Sequence, residues 1–186
     1  FKWQQKNPLQ FDITDDINTQ LLSTHSYDFS NQKFSLFNHS LWDAILRKQV
    51  SPASIGGIKL NVVNYASIRR DPNFYLYLEM LSQWPSPAQN NFTREETFAL
   101  YINAYNAYAV KMIADNPCKV RLGKYCYPLK SIWDIGMKKG EVWKKKIVKL
   151  TGAVYSLDDV ETMLRNMGDP NIHASVVCAS VSCPNL

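Results

Sequence analysis

The sequence predicts a helix-dominated α+β domain, with about four main helices, one of them a buried central helix, and a small antiparallel sheet. Three observations lead there. After its capping box, the segment 93–116 stays almost wholly apolar or aromatic, which marks a helix buried on most sides. Three more segments show helical periodicity between start and stop signals. Only two segments carry strand patterning.

The elements follow in chain order. Residues 1–33 are rich in Asn, Gln, Asp, Ser and Thr and read as an arm with one short helix, leaving 34–186 as a single globular domain. "SLWDAILRKQ" (40–49) predicts the first helix, with Leu41, Ala44, Ile45 and Val50 as its apolar stripe. "SPASIGG" (51–57) reads as a breaker-rich connector, and "GIKLNVVNY" (57–65) as a strand. "DPNFYLYLEMLSQW" (71–84) is the second helix, with Pro72 suited to an early helical position. A second connector, "QWPSPAQNN" (83–91), leads to the central helix, where Thr93 and Glu96 form a capping box. "KKIVKLTGAVYS" (145–156) predicts a hairpin turning at Thr151-Gly152. "SLDDVETMLRNMG" is the last long helix, with Ser156 as cap, Asp158 and Asp159 at its positive end and Gly168 as stop. The terminal "IHASVVCAS" fits helix and strand equally.

At 186 residues, with 46% hydrophobic and 20% charged residues, the chain suits one domain with a substantial core. No apolar run approaches the ~18 residues of a membrane span. The chain opens without methionine or a charged-then-apolar leader, which reads as a mature product or an excised piece. The net charge of +5 is modest. Much of it lies between Lys138 and Lys149, where Lys138, Lys139, Lys144, Lys145, Lys146 and Lys149 flank Trp143. That cluster suits an anionic glycan, or else a solvated lysine-rich edge. No arginine-rich stripe points to nucleic acid, and none is expected as a partner.

The four cysteines fall in two local pairs, Cys118 with Cys126 and Cys178 with Cys183. Asn38-His39-Ser40 and Asn91-Phe92-Thr93 match the glycosylation acceptor pattern. Paired cysteines and two acceptor sites together point to an extracellular or secretory-pathway protein with both pairs as disulfides. A Cys118–Cys126 bridge would add about 2.6 kcal/mol by loop-closure entropy.

Candidate catalytic residues are Cys178, Cys183, His173, His39, Asn103 and Asn106. A nucleophilic thiol needs a base within hydrogen-bond reach. His173 and Cys178, five apart, diverge by about 140° on a helix and lie on opposite faces of a strand. The same spacing lets Cys178 and Cys183 bridge only if the chain turns back before Pro184. Asn103 and Asn106 share one face of the central helix with Glu96; buried there, they either line a cleft or tie the helix to neighbouring backbone. His39 sits at a helix start. The three histidines, at 25, 39 and 173, lack metal-ligand spacing, and there is no glycine-rich phosphate loop or Gly-x-Ser-x-Gly elbow. No metal or cofactor is expected.

"NHSLWDAILRKQV", "VVNYASI", "ETFALYINAYNAYAV", "YSLDDVETMLRN" and "DPNIHASVVCASVSCPNL" resemble, in this order, the domain of unknown function 547 family over about residues 35–186. Asn103, Asn106, His173, Cys178, Cys183 and Pro184 stand where that family's motifs place them. The chain departs at Asn171 (arginine in the family pattern), Ala174 (phenylalanine) and Asn64 (aspartate). Family domains continue past the Cys-Pro motif, which implies a C-terminally truncated or processed piece here. The resemblance implies a fold and no substrate. The expected function is a secreted, non-catalytic binding or structural module that contacts other proteins or copies of itself. The alternative is a Cys-His-dependent hydrolase or acyl transferase.

Overall fold

A computed structural model describes residues 37–122, 125–128, 132–136 and 140–177. The expected arm at 1–33 lies outside these residues. The described chain is a helix-dominated α+β fold with element order α1 (Ser40–Gln49), β1 (Val50–Ile55), β2 (Ile58–Val63), α2 (Tyr65–Ile68), α3 (Pro72–Gln83), α4 (Arg94–Asp115), β3 (Cys118–Leu122), β4 (Tyr125–Pro128), α5 (Glu141–Lys144), β5 (Val148–Leu150), β6 (Ala153–Tyr155), α6 (Leu157–Asn166) and α7 (Ile172–Ser175). A 3-10 turn, Ile132–Asp134, lies between β4 and α5. No described helix is long and apolar enough to cross a membrane.

The four long helices fall within a residue or two of the segments the sequence predicts, because each is bounded by local chemistry. Thr93 Oγ1 accepts from the Glu96 amide while the Glu96 carboxylate accepts from the Thr93 amide, so α4 starts on a reciprocal capping box. Ser156 and Asp159 do the same for α6. Asp71 caps α3, with Pro72 following it. In the core, α4 runs between Leu81 of α3 and Leu157, Val160 and Leu164 of α6, all fully buried. Its own buried positions, from Leu100 to Ala114, fall on every side of the helix.

Among the described residues the strands form three separate antiparallel hairpins: β1 with β2, β3 with β4, and β5 with β6. Residues 51–57, expected as a connector, are mostly strand: β1 pairs in register with β2 from Val50↔Val63 to Ile55↔Ile58, around the Gly56-Gly57 turn. Pro52, exposed on β1, hides strand character from propensity reasoning; in a two-stranded ribbon it can occupy an edge without breaking a ladder. Val50 consequently belongs to β1, and Ala44 is exposed; α1 buries Trp42, Ile45 and Gln49 instead. The β3–β4 hairpin is not among the expected elements, although Cys118-Lys119-Val120-Arg121-Leu122 alternates apolar and charged residues as a strand does; its pairing shifts register between Cys118 and Val120.

The β5–β6 turn links the hairpin to the helices. Thr151 and Gly152 both take left-handed backbone, with φ of 50° and 77°, as a primed hairpin turn requires. Their amides donate to Leu81 O (2.9 Å) and Ser82 O (2.8 Å), two of the orphan carbonyls at the end of α3. The Tyr108 hydroxyl donates to Lys149 O (3.1 Å), so α4 holds the same hairpin from its other side.

Thr93→Ala removes the α4 cap and is expected to lower unfolding free energy by about 1 kcal/mol. Urea unfolding followed by far-ultraviolet circular dichroism measures this.

Candidate functional site

The strongest polar feature of the core is the carboxamide of Asn106. It sits in the middle of α4, 6% exposed, among alanines and tyrosines. An amide buried in that setting must find partners or cost a few kcal/mol. It finds them on one strand of backbone. Nδ2 donates to Ser175 O (2.9 Å), and Oδ1 accepts from Val177 N (2.8 Å). The pair of bonds copies the pattern by which one strand holds another, so Asn106 pins the chain just after α7. Val176 between the two bonded residues is extended, with φ −92° and ψ 132°, and buries its side chain.

The pinned segment ends one residue before Cys178. Cys178 and Cys183 lie outside the described residues. His173, the nearest candidate base in sequence, is exposed on the four-residue helix α7. Asn103 is half-buried one turn before Asn106 on the same helix. Glu96, also on that side, is committed to the cap of α4.

His39 is elsewhere, at the start of α1. Its Nδ1 lies 2.8 Å from the Tyr77 hydroxyl, and its ring lies 4.7 Å from that of Phe37. The contact makes His39 part of an aromatic cluster in which Trp42 stacks on Tyr77 and Phe37 meets Trp84 edge-on. Burial disfavours the imidazolium and lowers the His39 pKa to about 4. Burial likewise pushes the Tyr77 hydroxyl well above its usual value, so the pair is neutral at physiological pH. The sequence offered only a helix-start position for His39; its partner is 38 residues away and carries no local signal.

Of the remaining candidates, Asn38 is exposed, and its Oδ1 accepts from Ser40 N (2.8 Å). Asn91 is exposed and in left-handed backbone, φ 51°, just before the α4 cap. Cys118 opens β3 opposite Pro128, while Cys126 stands on β4 opposite Arg121. The lysine cluster divides. Lys146 pairs with Asp159, whose carboxyl is held well below the usual carboxylate range by that hydrogen bond and by Ser156. Lys144 and Lys145 are exposed around α5, Lys149 is exposed on β5, and Lys138 and Lys139 lie outside the described residues. Among the described residues, no group of three or more His, Cys, Asp or Glu is placed to hold a metal ion.

A family model described as "Protein of unknown function, DUF547" matches residues 89–186, just over half of the chain, and the chain belongs to that family. The match is shorter than the 35–186 expected from motifs. It takes in Asn103, Asn106, His173, Cys178 and Cys183 and leaves out His39. No curated protein and no solved structure matches the chain.

Two outcomes follow from this geometry. Asn106→Leu strands the Ser175 carbonyl and the Val177 amide and is expected to cost about 2–4 kcal/mol. Hydrogen exchange should show protection lost first at Val177. His39, neutral in the fold at about 4 and ordinarily titrating near 6.5, binds its proton more readily in the unfolded chain. Stability should therefore be fully present above pH 6.5 and fall as pH drops toward 4. His39→Gln, which no longer titrates there, should show a flatter melting-temperature profile over that window.

Proposed function

We propose that this protein is a secreted, disulfide-stapled binding module without catalytic activity, contacting other proteins or copies of itself. The observation that carries this reading is the commitment of Asn106. Both ends of its amide are bonded to main chain, so in the described arrangement Asn106 ties α4 to the chain at 175–177, with both its nitrogen and its oxygen already engaged in that tie. His39, the other buried candidate, is bonded to Tyr77 and embedded among aromatic rings. Both groups act as structural ties.

The secretory reading draws on the acceptor sites and the cysteines. Asn38 and Asn91 are exposed, as a glycan-bearing asparagine must be. Cys118 and Cys126 stand on adjacent strands of one hairpin, and no described cysteine is a free thiol. In this reading Cys118 bridges Cys126, and Cys178 bridges Cys183.

A second reading is a Cys-His-dependent hydrolase or acyl transferase. One observation favours it: Asn106 fixes backbone up to the residue before Cys178, and His173 on the preceding helix is exposed. A nucleophile benefits from such rigid support.

Alkylation without reductant, followed by peptide mass mapping of protein made through a secretory route, separates the two. The module reading expects all four cysteines unmodified and a glycan on Asn38 or Asn91. A single fast-reacting thiol at Cys178 or Cys183 whose rate depends on His173 would overturn it in favour of the enzyme.

A further inference from the structure

We infer that Trp133, Trp143, Lys144 and Lys145 form a binding face for a linear anionic glycan. The inference rests on the binding-module reading above and gives one of its surfaces a ligand class.

The face is built around an exposed aromatic residue held in place. Trp133 is 46% exposed although it lies inside the 3-10 turn, whose flanking Ile132 and Ile135 are buried and anchor it. Its ring packs edge-to-face on Trp143, with centroids 5.9 Å apart and planes at 79°. It also lies over Gly140, 3.6 Å from where a Cβ on that residue would sit. Gly140 has φ of 84°, so the backbone under the indole suits glycine and the ring can approach closely. Trp143 is half-buried against the core and fixes the second wall. A large apolar side chain kept at the surface by neighbours on three sides is preorganised for contact.

The charges around it are unequally used. Asp134, in the same turn, pairs with Lys119 at 2.6 Å. Lys146 is taken by Asp159. The Glu141 carboxylate lies against Gly136, 3.4 Å from where a Cβ there would sit. Lys144 and Lys145, directly after Trp143, are exposed and carry no ion pair among the described residues. Two flexible ammonium groups beside a tryptophan corner suit ring-borne sulfates or carboxylates, which are point anions spaced along a chain.

The ring geometry favours sugar over nucleic acid. Successive bases stack on faces presented one after another. With the indole planes at 79°, Trp143 does not continue the exposed Trp133 face as a second stacking platform, whereas a single exposed indole suits the C–H face of one pyranose. Of the described lysines in the cluster, Lys144 and Lys145 are the two that directly follow Trp143 and stand exposed.

A heparin-derived octasaccharide, titrated against the intact protein by calorimetry at low salt, tests this. Binding should weaken about tenfold in Trp133→Ala. Lys144→Gln/Lys145→Gln, on exposed side chains that leave the fold intact, should weaken it and flatten its dependence on salt. Lys59→Gln, on exposed β2, should bind as the parent does. No binding at low salt, binding unaffected by the Lys144/Lys145 pair, or tighter binding of single-stranded oligonucleotide would each overturn the glycan face. Those results leave the alkylation and glycan mapping untouched, so the module reading stands or falls separately.

Discussion

The fold depends on burying a 22-residue helix that has no polar stripe over its second half. A surface helix presents one apolar face and needs one neighbour; α4 is apolar nearly all round and must be covered from several directions. That requirement sets the positions of α3 and α6, and brings the β5–β6 hairpin in to close the remaining side. Coverage of this kind buries backbone ends along with side chains. The fold meets the need with long-range bonds: the Thr151-Gly152 turn satisfies the end of α3, and Arg94 donates to Met167 O at the end of α6 (2.7 Å).

Asn106 is the polar exception inside that apolar helix, and its environment explains it. A leucine there would add buried apolar area but could not bond the passing chain at 175–177. Among the described residues no strand pairs with that segment, and a side chain supplies two bonds of the kind a ladder would give. The carboxamide is suited to this because it donates and accepts from one planar group at the spacing of backbone. The family match runs through both partners of this clamp.

The aromatic residues divide by role. Phe37, Trp42, Phe74, Tyr77 and Trp84 form a buried cluster around α1 and α3, and His39 joins it as a neutral ring. Trp133 and Trp143 form a second pair, in which Trp133 is exposed and Trp143 is half-buried against the core. The first group stabilises by area removed from water; the second leaves apolar area exposed at a cost, which is the physical motive for assigning it a ligand.

The sequence by itself determined the four long helices, the caps at Thr93 and Ser156 and the Thr151-Gly152 turn, because those depend on neighbours within about four residues. It also determined that the central helix is covered on most sides, since its second half is almost wholly apolar or aromatic. Only the tertiary structure decided that "SPASIGG" is half of a hairpin, since Pro52 and the glycines carry no strand pattern and pairing came from across the turn. Only it decided that Asn106 is bonded to main chain and that His39 meets Tyr77. Those partners are 69, 71 and 38 residues distant, and a bond made at that separation leaves no mark on the local order of side chains.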